Sequence, residues 1–248
     1  MTPMELLDWL LLPLGGAADH VVEPRVSWHG RFMVLAWGVV VPVAVLLARF
    51  FKVTPRQRWP DELDNKFWWH SHRFLNYGAV ALTAIAAAMV IGHDHYRGPT
   101  RTAHASAGWT VLILAMAQIL SAHLRGTKGG PTAPRLSVNG EILDLRGDHY
   151  DMTPHRYRFE WIHKTAGMAA VLVAFAALLT GLWTADAQRW TWAGLVLLWS
   201  CLLAAFVRWQ RQGRCLDTYQ AIWGPGLEHP GNSMKVVGFG IRRVKPSE

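Results

Sequence analysis

Five stretches of this chain are long, apolar and free of charge in their middles: Phe32 to Phe51, Phe74 to Ile91, Ala105 to Leu124, Thr165 to Trp183 and Trp192 to Val207. Each is close to the roughly 20 helical residues needed to cross a hydrocarbon core of about 30 Å. Inside such a core every backbone polar group must be satisfied within the chain, which helices do one segment at a time. The expected fold is therefore all-α, an integral membrane helical bundle. Charged residues make up only 17% of the 248, below the roughly 25% of soluble domains, which points the same way.

Charge sets the expected orientation. Of 25 Lys and Arg, only Arg25, Arg31, Arg97, Arg101 and Arg189 fall on the side of the N-terminus, leaving 20 on the other. By the positive-inside rule the N-terminus lies outside and the C-terminus is cytoplasmic, with a bacterial inner membrane as the expected setting. The formal charge of +8 then reflects topology and contact with membrane lipid, and no motif points to nucleic acid. Cys201 and Cys215 have neither metal-cluster spacing nor an oxidising compartment to pair in.

Three regions follow. Residues 1–27 form an N-terminal segment whose run MELLDWLLLPLGG is too short to span and carries Glu5 and Asp8 where a signal peptide would be basic. It is expected to be an interfacial helix with Leu6, Leu7, Leu10 and Leu11 on one side, the alternative being a piece packed against the bundle. Residues 28–208 form the transmembrane domain, a four-helix core plus a fifth helix. Residues 209–248 are a cytoplasmic tail without clear periodicity, ordered by packing on the bundle's end. In the long loop 126–160, Asn139-Gly140 between LSV and EILDL suggests a small hairpin.

Four histidines open four successive apolar segments: His29, His72, His104 and His163. Helices that thread a membrane back and forth place every second start on one side. His29 and His104 then share the outer leaflet, and His72 and His163 the cytoplasmic one. Facing imidazoles across a bundle are a usual way to hold a b-type haem by both axial positions. A histidine near a helix start also feels the positive end of the dipole, which favours the neutral ring that binds iron. Two haem b groups are expected, with His29/His104 and His72/His163 as iron ligands. Gly108 and Gly167 each follow a histidine by four residues, one turn along the same face, and leave room for a flat macrocycle.

The other histidines are expected on surfaces or in supporting positions. His70, two residues before His72, points to nearly the opposite face; His72 is preferred because Arg73 beside it can meet a haem propionate. His93 and His95 fall in the outer loop, His123, His149, His155 and His229 on the cytoplasmic side, and His20 in the N-terminal segment with no evident partner. Lys66, Arg73, Arg156, Arg158 and Lys164 are expected to converge near the inner haem, where propionates or an anionic reductant gain from them. Arg31, Arg97 and Arg101 play the corresponding outer part. From His29 to Arg49, 20 residues on, a helix rises about 30 Å.

The segments WHGRFMVLAWGVVVPVAVLLARF, WWHSHRFLNYG, HASAGWTVLILAMAQ and WIHKTAG resemble, in order, the four core helices of the cytochrome b561 family, most closely its ferric-reductase-like branch. The resemblance covers about residues 28–181. It implies two haems b with the pairing above, and electron transfer from a cytoplasmic reductant such as ascorbate to an outer acceptor such as a ferric chelate or an oxidised ascorbate radical. The chain departs from the family in lacking the first of six spans and in the size of its third loop. The competing readings are a quinol-oxidising cytochrome b or membrane anchor of a larger redox complex, and a non-redox metal transporter using His93, His95 and His104. The absence of any carboxylate inside a span argues against the transporter. Donor and acceptor are small molecules or proteins, and association into a homodimer is compatible with the sequence.

Overall fold

The computed structural model describes residues 2–92, 98–126, 135–136, 138–139, 142–144, 152–226 and 229–245. Arg97, His93, His95 and His149 lie outside the described residues, and with them two of the three histidines of the transporter reading. The chain is an all-α membrane helical bundle. Its elements are α1 (Pro3–Leu11), α2 (Pro24–Phe50), α3 (Phe67–Val90), α4 (Pro99–His123), β1 (Arg135–Leu136), β2 (Ile142–Asp144), α5 (Pro154–Thr184), α6 (Arg189–Arg211) and α7 (Thr218–Trp223). The helices α2 to α6, apart from the short strands, are the five long and apolar enough to cross a membrane. The expected hairpin is present as β1 paired antiparallel with β2.

The residues group into two compact units, one of Met1–Ala44, Arg73–Ala115 and Ala169–Phe206, the other of Val45–His72, Met116–Met168 and Val207–Glu248. In the first unit, Thr2 and Glu5 form a capping box that starts α1, satisfying two amides that a helix start otherwise leaves open. Met4, Leu7 and Trp9 of α1 are exposed, as an interfacial helix requires. The chain beyond α1 is tied to the α5–α6 turn by a Pro13–Gln188 bridge and by Gly15 N donating to the Asp186 carboxylate at 2.7 Å.

Helix α2 is not uniform. Residues Val34–Val40 are π-helical, and the amide of Val41 reaches back to the Ala36 carbonyl. The cause is legible in the sequence. Pro42 has no N–H, so the Gly38 carbonyl four residues earlier loses its helical donor and faces the proline ring. The indole of Trp199 replaces that donor at 3.2 Å. Next to it Trp37 donates to Thr83 Oγ1 at 2.9 Å, which itself donates to the Ala79 carbonyl, so the polar atoms introduced into this apolar layer are paired.

In the second unit the tail is more ordered than its lack of periodicity suggests. All six residues of α7 are buried, with Asp217 capping its start through Tyr219 N. Six residues are too few for a 3.6 period to show in sequence. Trp59 of the first loop donates to the Gln220 carbonyl, and Arg243 clasps Asp217 and the Gly231 carbonyl. Lys52, just past the end of α2, is buried and donates to the Leu216 carbonyl at 3.0 Å. Burial, reinforced by the Lys164 charge, pushes its ammonium down to about 8. The unfolded chain holds this proton up to about pH 10.4, so between about pH 8 and 10.4 it binds more protons than the folded one. Stability is therefore expected to rise across that window by about 3 kcal/mol. Thermal unfolding of the protein against Lys52→Met between pH 7.5 and 10 checks this, since the variant should lose that rise.

Candidate haem-binding sites

In the first unit the imidazoles of His29 and His104 lie with centroids 6.0 Å apart and planes at 87°. Both rings are held alike: Nδ1 of His29 is 2.9 Å from the Ala86 carbonyl, and Nδ1 of His104 is 2.9 Å from the Ala177 carbonyl. A carbonyl can only accept, so each Nδ1 carries the proton and each Nε2 keeps its lone pair. This, rather than the helix dipole, fixes the tautomer. His29, His72 and His104 each stand five residues past the first residue of their helices, at Pro24, Phe67 and Pro99, and His163 stands nine past Pro154. The dipole's influence fades within the first turn.

The pair borders a cleft of about 1040 Å³, at the upper end of the roughly 300 to 1,000 Å³ of cofactor sites. Gly108 lines it with open space where a side chain would stand. Arg31 and Arg101 also line it. His20, which has no partner evident in the sequence, donates through Nε2 to the Ala185 carbonyl at 3.0 Å and lines the same cleft.

Gly181 carries no signal of its own in the sequence, being one small residue among many in the spans. A Cβ there would lie 2.8 Å from Cε1 and 2.9 Å from Nδ1 of His104. Gly181→Ala is expected to push the ring off the Ala177 carbonyl, at about 1 to 3 kcal/mol of overpacking. The check is a lower Tm together with weakened cofactor retention at one site only.

In the second unit the centroids of His72 and His163 are 6.3 Å apart with planes at 74°. His70, by contrast, is exposed. Phe159 stacks on His163 at 5.2 Å, and the Arg156 guanidinium lies 4.9 Å over Phe159. Glu160 is buried between Arg156, at 3.3 Å, and Lys164, at 2.8 Å; Lys164 also donates to the Val237 carbonyl. Arg156 Nη1 is buried with no hydrogen-bond partner. Gly167 faces the Gln118 carboxamide at 3.7 Å rather than open space, so the two glycines with the same spacing from a histidine have different neighbours.

Of the five cations expected to converge near this pair, Glu160 gathers Arg156 and Lys164. Arg158 is exposed, Lys66 pairs with Asp64, and Arg73 in the first unit lies over the Tyr77 ring at 5.9 Å.

The residues fit a haem iron. An iron bound by two imidazole nitrogens at about 2 Å each needs ring centroids about 6 Å apart, and both pairs meet that requirement. The unpartnered, buried Arg156 Nη1 suits an anionic propionate. Among the described residues no group of three or more His, Cys, Asp or Glu is placed to hold a bare metal ion.

Fold and imidazoles together describe a membrane helical bundle with two facing pairs of histidine rings. Similar proteins bear on which one. A cytochrome b561, DM13 and DOMON domain-containing protein of Arabidopsis thaliana is 27% identical over 174 residues, 70% of this chain and 16% of that protein. Human ferric-chelate reductase 1 is 33% identical over 159 residues, 62% of this chain and 22% of its own length. A putative ferric-chelate reductase 1 of Xenopus laevis is 28% identical over 171 residues, 68% of this chain and 24% of that protein. Over about two thirds of its length the chain is similar to proteins of the cytochrome b561/ferric-reductase-like family. It spans only 16 to 24% of the length of these relatives. They are plant and vertebrate proteins and give no support to a bacterial setting. No family model and no solved structure matches the chain.

Proposed function

We propose that the chain is a dihaem b-type transmembrane oxidoreductase, with one haem held by His29 and His104 and the other by His72 and His163. The observation that carries this reading is the pair of imidazole separations, 6.0 and 6.3 Å, on a chain with five membrane-length helices. Each haem supplies one-electron exchange between ferric and ferrous iron. The chain's own residues hold the His29 and His104 rings in the iron-binding tautomer, exclude water from the spans and balance propionate charge, through Arg156 and Lys164 at one site and through Arg31 and Arg101 at the other.

The charge asymmetry supports a reading with the His72/His163 site toward the cytoplasm and the N-terminus outside. Electrons then pass from a cytoplasmic, ascorbate-like anion to an outer acceptor, a ferric chelate or an oxidised ascorbate radical. Anions on either side meet fixed cations, which raises their local concentration. The names of the relatives support the acceptor class, two of the three being ferric-chelate reductases.

A second reading, in which the chain serves as the membrane part of a larger redox assembly, is favoured by one fact. The Arabidopsis relative carries further named domains, and this chain matches 16% of it. Co-purification of a redox partner separates this case.

The experiment for the main reading is a pyridine haemochrome assay on purified protein of independently known concentration. About two haems b per chain support it, about one shows a pair misassigned, and none in a folded sample overturns it.

A further inference from the structure

The two sites differ in what stands behind the ligands. At His29 and His104 the group behind Nδ1 is a backbone carbonyl, which no substitution removes. At His163 it is a side chain: the Gln118 carboxamide lies 2.6 Å from Nδ1, 3.2 Å from the His163 carbonyl and 3.1 Å from Gly167 N.

A carboxamide can face this ring in two ways. With its nitrogen toward His163 it donates to Nδ1 and to the carbonyl, and its oxygen accepts from Gly167. The ring proton then sits on Nε2, where it blocks an iron bond. With its oxygen toward Nδ1 it accepts the Nδ1 proton, and Nε2 presents its lone pair. The Gly167 amide and the His163 carbonyl lie four residues apart on α5, so each has the other as its helical partner and neither depends on Gln118.

We infer that Gln118 is the positioning residue of the second haem site, turning its oxygen to Nδ1 of His163 when iron binds. The inference rests on the haem reading above. An acceptor behind a ligating imidazole makes the ring more basic, and such partners typically account for about 10- to 100-fold in metal affinity. A more basic ligand favours ferric iron, so Gln118 holds the midpoint of this haem down. One mutable residue therefore tunes one haem and leaves the other alone.

The test compares the full-length protein with Gln118→Met, which keeps length and loses the acceptor, and Gln118→Glu, which keeps an acceptor. Haem content, redox titration, low-temperature EPR of the low-spin ferric signals and haem loss to excess apomyoglobin are measured on each. In Q118M one midpoint is expected to rise, one EPR signal to move and one haem to leave at least about tenfold faster. In Q118E that midpoint should stay at the parent value or fall below it. Should Q118M misfold, Q118A removes the same acceptor. Two retained haems with unchanged midpoints, signals and loss rates in the acceptor-less variant overturn the inference, as does an equal shift in Q118M and Q118E. A parent protein without haem overturns the underlying reading instead, so the two failures are distinct.

Discussion

Replacing His163 by alanine is expected to bring the haem content from about two per chain to about one and to leave the remaining haem with its parent midpoint. The expectation follows from how locally each pair is built. His72 and His163 face each other at 6.3 Å within one unit, and His29 and His104 at 6.0 Å within the other. The rings of His29 and His104 are held by carbonyls at Ala86 and Ala177, which a cavity at position 163 leaves in place. His104→Ala should produce the mirror result, losing the other haem. Haemochrome assay with redox titration reads both. Loss of both haems from either single variant, in protein that remains folded, would show that the two sites are not independent.

Replacing Glu160 by glutamine is expected to destabilise the protein by about 3 to 5 kcal/mol, the range for breaking a buried ion pair on one side. Glu160 is buried and sits between Arg156, itself buried, and Lys164. Removing its charge leaves two cations without their counterion, and the cost is that of the uncompensated charge rather than of a lost contact. A second change, Arg156→Met, in the same chain should restore part of the loss, since it removes one of the stranded cations. Denaturant or thermal unfolding in detergent measures both steps. A purely steric effect of Glu160→Gln would leave the double variant no more stable than the single one.

Much of the architecture is legible in the sequence because membrane helices announce themselves by length. The five spans need only a count of apolar residues, and the histidine pairing needs only the alternation of helix direction. What escapes the sequence is whatever depends on backbone atoms or on close approach. The carbonyls behind His29, His104 and His20 have no side-chain signature. Gly181 reads as one small residue among many until the His104 ring is seen against it. Gln118 lies 45 residues from His163 in the chain, as the two numbers give, and one glutamine in an apolar helix does not name its partner. Helix starts are also misplaced, since polar turns before each apolar run belong to the same helices. The π-helical stretch of α2 is the exception, because Pro42 carries its signal in plain view.

That stretch also sets the rotational phase of His29. A π segment acts as one residue inserted into an α-helix, and one residue corresponds to about 100° of turn. The part of α2 that carries His29 is thus rotated by roughly that angle against the residues after Val40, compared with an uninterrupted helix of the same sequence. Aligned with a relative whose first core helix runs unbroken, this chain requires a one-residue gap between Val34 and Val40. Without the gap, every residue on one side of it would be assigned to the wrong face.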